Sequence, residues 1–557
     1  MTNAEIRFRP AAEADFAWYL DLSIRTLRDQ LEALGRWDPE RRRNRARASF
    51  DTGELRVVER AGQRLGTVAL GIQDDHAEIH SFYLEPALHG QGTGAAILRL
   101  LLAEAAALRP ARPVRLEVLK RSPAARLYER AGFVRAAEQD YDWLYTLPLS
   151  PPESNPAMPA LAERLKDVTV SPIVAMSTRA RALKAEGKQV ISLAVGEPDF
   201  PTPPHAVEAA HQAALRGETK YPAQDGGVPL KTAIQAKFRR ENNLDYALDE
   251  ICVCNGGKQV LMNALLATVS PGDEVLIPVP YWASYGEMVK LAGGKPVYVN
   301  CPQNNGFKLR PEDLDAAITP QTKMLMLNFP NNPTGAGCSR EEMQALAAVM
   351  LKHPHVWILT DDMYEHLVFD GFKFCTIAEV EPRLKDRVIT ANGVSKTYAM
   401  TGWRVGYAGG PKAVIKAMVN MQGQVTSGVS GITQAAALAA LEGPQELVAE
   451  RAAIYAQRRD LVVEMLNQAP GIVCHKPEGA FYVYPNIASC LGKTTAGGRR
   501  IETDGDFALA LLEEKLVATV HGGAYGMSPY LRISYATDTE SLREACTRIQ
   551  DFCKGLS

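Results

Sequence analysis

Hydrophobic and polar residues alternate with the periods of strands and helices through the first 147 residues of the chain. Alternating apolar positions predict a strand at 6–8, a hairpin over 54–73 that turns at Ala61-Gly62, and strands at 78–84 and 114–119. Helical spacing predicts helices within 11–31, 95–108 and 122–133, the last of which closes at Gly132. This segment is therefore predicted to be a mixed α+β unit.

The pattern changes after residue 161, where short apolar runs alternate with helical stretches. The runs lie at 274–279, 296–301, 323–329, 356–360 and 387–392, and a typical helical stretch lies at 339–351. Such alternation indicates an α/β fold with a mostly parallel sheet and helices on both of its faces. Ligands bind such sheets at the carboxyl ends of the strands, so the polar residues there are the first candidates for a site.

Residues 148–161, PLSPPESNPAMPAL, separate the two patterns and contain five prolines. Proline lacks the backbone N–H that a helix or a central strand needs, so this stretch is predicted to be an extended, semi-rigid linker. The predicted domains are then residues 1–147 and 162–557. A long surface loop within a single domain is the alternative.

The composition is that of a soluble globular protein, with 46% hydrophobic and 23% charged residues. The formal net charge of −2 gives no reason to expect a nucleic-acid partner or an anionic membrane surface. The sequence shows neither a signal peptide nor an apolar run that could cross a membrane, so we expect a cytoplasmic protein. The nine cysteines lack the spacing of a metal site, and we predict neither a metal ion nor a disulfide.

A glycine-rich turn follows the strand predicted at 78–84 and opens the helix after it. Its residues are Gln91, Gly92, Thr93 and Gly94. The first turn of a helix exposes unpaired backbone N–H groups and the positive end of the helix dipole, which together attract phosphate. The turn is therefore a candidate pyrophosphate site, although a tight turn without a ligand has the same pattern.

The order of strand, glycine turn and helix, followed by SPAARLYERAGF at 122–133, resembles the GNAT acetyltransferases. The resemblance covers nearly all of the first 147 residues and implies that residues 91–94 bind the pyrophosphate of acetyl-CoA. It also implies that Tyr128 is the acid that protonates the leaving thiolate. Glu78 and His80 lie two residues apart on one strand, and either could be the general base.

Residues suited to pyridoxal phosphate chemistry follow the strands predicted after residue 161. Transfer of an amino group with this cofactor needs a lysine amine, an acid at the pyridine nitrogen, donors for the phosphate and phenolate, and a cation for the substrate carboxylate. Lys396 follows the run at 387–392, whereas Asp361 and Tyr364 follow the run at 356–360. Gly256-Gly257 opens a helix after another apolar run, which makes a second phosphate cradle.

A series of motifs in this part of the chain is similar to the fold-type-I, class I aminotransferases of the aspartate aminotransferase-like branch. The motifs follow in the family's order: GEPDFPTP (196–203), NGGK (255–258), PYWASY (280–285), NNPTG (331–335), DDMYEHL (361–367), SKTYAMTGWRVGY (395–407), GAFY (479–482) and LRISYA (531–536). The resemblance implies a pyridoxal 5'-phosphate enzyme with a large domain around the mostly parallel sheet and a small α+β domain.

The resemblance also implies roles for the residues that face the cofactor ring. Lys396 would form the Schiff base with the cofactor and then move the proton. Asp361 would pair with the pyridinium nitrogen, and Tyr364 and Asn332 would bond the phenolate oxygen. Trp282 would stack on the ring.

Further roles concern the cofactor phosphate and the substrate. The phosphate would be held by Ser395, Arg404 and the backbone of Gly256 and Gly257. Tyr221 would reach the phosphate in the neighbouring subunit, which implies a homodimer with shared active sites. The substrate α-carboxylate would be bound by Arg532, Asn332 and the Gly196 backbone.

The predicted function is that of a bifunctional enzyme. One activity is transamination between an amino acid and a 2-oxo acid, and Lys258 favours aspartate or glutamate as one partner. Ile173 stands where dicarboxylate-specific relatives often have threonine, which leaves this preference open. The other activity is N-acetylation of an amine from acetyl-CoA.

Two alternatives compete with this interpretation. The larger segment could carry out an elimination or a cyclisation with the same cofactor. The first segment could sense acetyl-CoA without acetylating, since His89 and Arg121 depart from the GNAT pattern.

Overall fold

The computed structural model of the chain describes residues 6–107, 113–120, 122–147 and 172–557, together with residues 162 and 165. For residues 172 and 173 only the backbone is described, so the side chain of Ile173 is outside the description. The predicted linker at 148–161 and Arg121 also lie outside the described residues. Contacts between Cα atoms divide the chain into two compact units, residues 1–161 and 162–557.

The first unit combines short strands with helices. Its strands are β1 (Arg7–Pro10), β2 (Leu55–Arg60), β3 (Gln63–Ile72), β4 (Ala77–Leu84), β5 (Val114–Leu119), β6 (Val134–Glu138) and β7 (Asp142–Leu147). Its helices are α1 (Phe16–Ala33), α2 (Pro39–Asp51), α3 (Thr93–Ala106) and α4 (Ala125–Arg130).

These strands form one sheet in the order β1-β2-β3-β4-β5-β7-β6. The pairs are antiparallel except β4 and β5, which run parallel and pair only through Ala77 with Val114 and Glu78 with Arg115. Beyond these positions the two strands separate, so the carboxyl half of β4 borders a gap in the sheet.

Helices cover both faces of this sheet. Tyr19 of α1 and Ala46 of α2 are fully buried against one face, together with Ala69 of β3. The opposite face packs against α3 and α4 through residues such as Ile97 and Tyr128. Burial of apolar side chains on both faces is what stabilises such a layered unit.

The sequence pattern predicts part of this unit and misses another part. The hairpin turns as expected, because Arg60 pairs with Gln63 across Ala61 and Gly62, whose φ angles are +50° and +80°. Helix α2 is not predicted, since Ala46 is the only buried residue among its 13.

The larger unit alternates strands and helices. Its strands are β8 (Ile191–Ser192), β9 (Ile251–Cys254), β10 (Glu274–Val279), β11 (Lys295–Asn300), β12 (Thr322–Leu327), β13 (Trp357–Asp361), β14 (Val388–Gly393), β15 (Gly406–Gly409), β16 (Tyr482–Val483), β17 (Val517–Ala518), β18 (Val520–His521) and β19 (Leu531–Ser534).

The helices of this unit vary from one turn to six. They are α5 (Pro172–Ala185), α6 (Pro204–Leu215), α7 (Val228–Asn242), α8 (Gly257–Thr268), α9 (Ser284–Leu291), α10 (Pro311–Ala317), α11 (Arg340–Lys352), α12 (Ile377–Val380), α13 (Lys412–Val425), α14 (Gly431–Glu442), α15 (Glu446–Asn467), α16 (Asp504–Lys515) and α17 (Thr539–Lys554).

The main sheet of this unit has the order β11-β10-β12-β13-β14-β15-β9. All its strands run parallel except β15, which is antiparallel to both neighbours. Successive strand residues enter different cores: Leu276 packs with α7, α11 and α14, whereas Ile277 packs with α8, α9 and α13. The predicted mostly parallel sheet with helices on both faces is therefore confirmed.

A smaller part of this unit surrounds a second core. Strands β16, β19 and β18 form an antiparallel sheet, and β17 pairs with β8. Helices α15, α16 and α17 contribute Val462, Phe507 and Ile549 to the fully buried core beside it. All nine cysteines of the chain are buried free thiols. None of the helices within the described residues has the length and apolarity to span a membrane.

Candidate active site

Lys396 lies in the turn that follows β14, at the carboxyl edge of the main sheet. Its Nζ donates a hydrogen bond to the backbone carbonyl of Gly196 (2.6 Å). Burial lowers the pKa of Lys396 to about 8, and the positive charge of Arg532 acts in the same direction. A lysine with this pKa is partly neutral near physiological pH, which a nucleophile and proton carrier requires.

Asp361 ends β13 and offers a carboxylate oxygen with no partner. The Tyr285 hydroxyl donates to Oδ2 (2.7 Å), whereas Oδ1 is buried and accepts no hydrogen bond among the described residues. Burial raises the pKa of Asp361, and the Tyr285 hydroxyl and the Met363 backbone oppose this rise. A buried oxygen without a donor is costly, so Oδ1 is suited to bind an N–H or N⁺–H group of a ligand.

Tyr364 lies three residues after Asp361, and its ring is close to Lys396. Its hydroxyl is 2.9 Å from the hydroxyl of Tyr482, and burial raises the pKa of both phenols. The Lys396 ammonium lies 5.9 Å from the Tyr364 ring centroid. A Cβ on Gly196 would overlap the Tyr482 hydroxyl, so this position requires glycine.

Arg532, on β19, is a buried cation with one nitrogen that has no partner among the described residues. Its Nη1 donates to Asn332 Oδ1 (3.1 Å) and its Nη2 to the backbone carbonyl of Ala194, whereas its buried Nε has no partner among the described residues. The guanidinium also lies 4.7 Å from the ring centroid of Tyr482 and 5.0 Å from that of Tyr525. A fixed guanidinium with an unused N–H is suited to bind a carboxylate.

A cradle of backbone N–H groups lies at the start of α8. Gly256 caps this helix with φ +87°, and no side chain caps its N–H groups. The Arg404 guanidinium lies against Gly256, where a Cβ would overlap it, and Arg404 Nη1 donates to the Thr401 carbonyl (2.9 Å). A Cβ on Gly257 would overlap Met363. Free backbone N–H groups beside an arginine form an anion site.

Trp282 and Lys258 form another wall of this region. The Trp282 ring packs edge-on against Tyr285, with centroids 5.5 Å apart. Lys258 Nζ lies 4.7 Å from the Trp282 centroid and donates to Ser284 Oγ (3.2 Å). Burial, and then the charge of Arg404, lower the pKa of Lys258.

A polar network that the sequence does not predict supports the turn that carries Lys396. Asn392 Nδ2 donates to Glu365 Oε1 (2.6 Å), and His366 Nδ1 lies 3.1 Å from Thr397 Oγ1. Glu241, Glu365 and His366 have the spacing of metal ligands, but the ammonium of Lys237 forms an ion pair with Glu365 and already supplies a cation there. The visible signal in the sequence is the pair of polar residues Glu365 and His366, directly after DDMY.

Residues 188–549 match the family model described as aminotransferase class I and II. The chain belongs to this family. Residues 51–135 match the model of the acetyltransferase (GNAT) domain. Both families predicted from the motifs are therefore confirmed.

Two relatives match the aminotransferase unit over nearly their whole length. The unit is 56% identical over 400 residues to the aspartate/prephenate aminotransferase of Cereibacter sphaeroides, and the match covers 72% of this chain and 100% of that protein. The unit is 54% identical over 396 residues to an aspartate aminotransferase of Rhizobium meliloti, and this match covers 71% of this chain and 97% of the relative.

Solved structures show the same similarity. The crystal structure of the aspartate aminotransferase from Rhizobium meliloti has a TM-score of 0.70 at 54% identity, and the match covers 72% of this chain and all of that one. The aspartate aminotransferase from Thermus thermophilus with maleate has a TM-score of 0.66 at 39% identity, covering 71% of this chain and 100% of its own.

The aminotransferase family implies pyridoxal phosphate, and the residues present fit this group. The unpartnered Oδ1 of Asp361 would hold a ring N–H, and the cradle between Gly256 and Arg404 would hold the phosphate. The structure brings the predicted residues of one chain together around Lys396: Gly196, Gly256, Gly257, Lys258, Trp282, Asn332, Asp361, Tyr364, Ser395, Arg404 and Arg532.

Three tyrosines differ in their relation to this site. Tyr221 is 96% exposed and makes no contact with these residues within the described chain. Tyr285 and Tyr482 touch the site but were not singled out from the sequence. Tyr285 lies one helical turn after Trp282 within PYWASY, and Tyr482 ends GAFY, so position within the motifs is the signal that could have found them.

The glycine turn of the acetyltransferase domain leaves the start of α3 open. Gly92 caps the helix with φ +78°, and no side chain caps its N–H groups. A Cβ at Gly90 or Gly92 would meet no described atom within 4 Å, so the turn has free space beside it. The Gln91 amide donates to the Ala87 carbonyl (2.7 Å), and His89 Nε2 lies 3.3 Å from the Leu84 carbonyl.

The predicted acid and bases of this domain have different surroundings. Tyr128 is buried between Phe82 and Phe133, and burial raises its pKa. Both ring nitrogens of His80 are engaged, with Nε2 3.2 Å from Glu54 Oε2 and Nδ1 3.3 Å from Ser49 Oγ. Glu78 has no side-chain hydrogen bond within the described residues.

We predict that Lys396 of the cofactor-free protein reacts with acetic anhydride at a rate that rises through a midpoint near pH 8. Only a neutral amine is a nucleophile, and an ordinary lysine becomes neutral near pH 10.4. A depressed pKa therefore moves the reactive range down in pH. Peptide mass spectrometry after labelling at a series of pH values measures the midpoint.

Lys412 serves as the reference in the same experiment. Its hydrogen bond with Asp249 raises its pKa, so it should remain unreactive at the pH where Lys396 is half labelled. A midpoint for Lys396 near that of Lys412 would contradict the prediction.

Proposed function

We propose that residues 162–557 transfer an amino group between aspartate or glutamate and a second 2-oxo acid, and that residues 1–147 N-acetylate an amine. The observation that carries the first proposal is a pair of buried, unpartnered polar atoms, Asp361 Oδ1 and Arg532 Nε. Asp361 Oδ1 is suited to bind a ring nitrogen, and Arg532 Nε is suited to bind a substrate carboxylate. The charges of Asp361 and Arg532 both act on the pKa of Lys396.

In this proposal the residues of the chain have distinct tasks. Asp361 keeps a proton on the ring nitrogen of pyridoxal phosphate, which, when bound, supplies a ring that stabilises negative charge at the substrate α-carbon. Arg532, held by Asn332, binds and orients the α-carboxylate. Lys396, with a pKa of about 8, accepts the α-proton and returns it at neutral pH.

Charge near the site favours an acidic substrate. Lys258 adds a second cation beside Trp282, apart from Arg532. Two cations suit the two carboxylates of aspartate or glutamate. Relatives named aspartate/prephenate aminotransferase, and a relative solved with the dicarboxylate maleate, support the same substrate class and make prephenate a candidate acceptor.

Assembly as a homodimer is part of this proposal. Tyr221 is an aromatic side chain left 96% exposed on the loop between α6 and α7. An aromatic residue so exposed in one copy of the chain is suited to contact a second copy. Tyr221 would then reach the phosphate of the cofactor in the neighbouring subunit.

The proposal for the first unit rests on the glycine turn and on Tyr128. The open start of α3, with Gln91, Gly92, Thr93 and Gly94, would bind the pyrophosphate of acetyl-CoA. Tyr128, whose pKa is raised by burial, keeps a proton that it can give to a thiolate.

Substitution Lys396→Ala is expected to abolish transamination, because the amine and the proton carrier are lost together. General acid–base catalysis alone contributes roughly 10²–10⁴-fold. The rate of 2-oxo acid formation from aspartate measures the loss. Lys373→Ala, at an exposed lysine, is the control and should keep the full rate.

Two outcomes would contradict the proposed chemistry. Retention of most transamination activity in Lys396→Ala would show that another residue supplies the amine and the proton carrier. Release of free ammonia in place of amino-group exchange in the unaltered enzyme would indicate an elimination.

Substitution Lys258→Ala is expected to reduce kcat/KM for aspartate more than for alanine. One charge-assisted contact is worth roughly 1.5–3 kcal/mol, which corresponds to about 10- to 150-fold in the ratio of the two substrates. Steady-state kinetics with both donors give this ratio, and Lys258→Arg should restore part of it. Equal losses for the two donors would instead assign Lys258 to the phosphate or to folding.

Substitution Gly92→Val is expected to weaken acetyl-CoA binding to the full-length protein, because a branched side chain would fill the space above the turn. Isothermal titration measures the affinity. Gly53→Val is the matched control, since Gly53 has φ +75° and open surroundings but lies outside the turn. Equal effects of the two substitutions would remove the turn from acetyl-CoA binding, and binding without acetylation of any amine would support a sensor.

A further inference from the structure

Helix α2 carries a concentration of positive charge. Its arginines are Arg41, Arg42, Arg43, Arg45 and Arg47. Arg47 forms salt bridges with Glu13 and Asp51. The other four form no salt bridge among the described residues, so in that part of the unit no ion pair neutralises their charge.

The direction of α2 brings part of this charge to the gap in the sheet. Near the end of α2, Ser49 Oγ lies 2.7 Å from Ser81 Oγ on β4. Two turns earlier, the Arg42 guanidinium lies 5.9 Å from the ring centroid of Tyr83, also on β4. Helix α2 therefore runs opposite to β4, and its arginine end reaches the half of β4 that has separated from β5.

Arg42 has a buried donor without an acceptor. Its Nε is buried and forms no hydrogen bond within the described chain. Such a group is costly unless a ligand satisfies it. Arg45 follows at helical spacing on the same side of α2, as Ser49 does after it. Burial raises the pKa of Tyr83, and the charges of Arg42 and Arg45 oppose this, so both guanidinium groups act at that phenol.

Of the two guanidinium groups, that of Arg45 interacts with an acidic side chain, that of Asp142. Arg45 lowers the pKa of Asp142 on β7, against the rise that burial and Glu117 cause. Asp142 does not form a salt bridge with Arg45 in the described residues. Arg42 forms no salt bridge among the described residues, and its guanidinium lies 5.9 Å from the ring centroid of Tyr83.

We propose that Arg42 and Arg45 bind the carboxylate of the acceptor, so that the acetylated amine is an amino acid and not a carboxylate-free amine. This inference rests on the proposed acetyltransferase function. Arginine binds carboxylates through paired N–H donors, and the unused Nε of Arg42 supplies one of them. The other unit interconverts amino acids, so its products belong to the same chemical class.

The acetyl transfer itself balances without another reactant. The amine nitrogen forms a bond to the acetyl carbon, and the carbon–sulfur bond of acetyl-CoA breaks with its electron pair left on sulfur. That thiolate takes the proton of Tyr128. The nitrogen releases one proton to Glu78 or His80 of β4, and exchange with water restores both groups.

Matched pairs of amines test this inference in the full-length protein. Release of CoA from acetyl-CoA is followed with alanine against ethylamine and with phenylalanine against 2-phenylethylamine. We expect kcat/KM to be at least about 10-fold higher for the amino acid of each pair, the effect of one charge-assisted contact. Equal use of both members would overturn the inference while leaving the acetyltransferase function intact.

Arginine variants test the residues. Arg42→Gln and Arg45→Gln should raise KM for the amino acid by roughly 10- to 100-fold, and Arg42→Lys should recover part of the loss. Arg43→Gln on the same helix is the control and should change little. Affinity for acetyl-CoA, measured by titration, should stay the same in all variants and shows that the unit is folded.

The remaining outcomes are decisive as well. An effect of Arg42→Gln no larger than that of Arg43→Gln would overturn the assignment of Arg42. Binding of acetyl-CoA with no acetylation of any amine would overturn the acetyltransferase function and this inference with it.

Discussion

The turn that carries Lys396 is held by a buried ion pair between Lys237 of α7 and Glu365, which lies just beyond β13. The two side chains are 1% and 3% exposed, so neither charge is solvated by water. Removing one partner of such a pair costs about 3–5 kcal/mol, because the other charge is left buried and unpaired. Glu365 also accepts from Asn392, whose own Oδ1 accepts from the N–H of Gly393. A helix and the exits of two adjacent strands are thereby fixed relative to one another.

Because of this ion pair, the short segment of residues 361–366 serves two purposes. Asp361 and Tyr364 lie near Lys396, whereas Glu365 and His366 belong to the network that anchors its turn. His366 continues the connection from Thr397, next to Lys396, to Glu241 on α7. The position of Lys396 therefore depends on groups outside the predicted site residues, and its pKa of about 8 depends on the burial that they maintain.

Much of the fold and of the candidate site follows from local sequence, and the rest does not. The parallel strands carry continuous apolar runs, and the polar residues directly after them can be placed at one edge from strand order alone. Helix α2 has no apolar stripe, because one alanine is its only buried residue, although Asp38 caps its start with hydrogen bonds to Glu40 and Arg41. The Lys237–Glu365 pair joins distant parts of the chain, so only the folded structure places it beside the turn that carries Lys396.

Arg532 is an anchor that all substrates of the aminotransferase unit would share. It lies between two tyrosine rings and is held by Asn332 and the Ala194 carbonyl, so its guanidinium has little freedom to move. Every amino acid and every 2-oxo acid carries the same α-carboxylate, whatever the rest of the molecule. In the proposed function, discrimination between side chains would be left to the wall formed by Trp282 and Lys258. For enzyme engineering, this separation means that a library confined to that wall can search for new specificities without rebuilding the anchor.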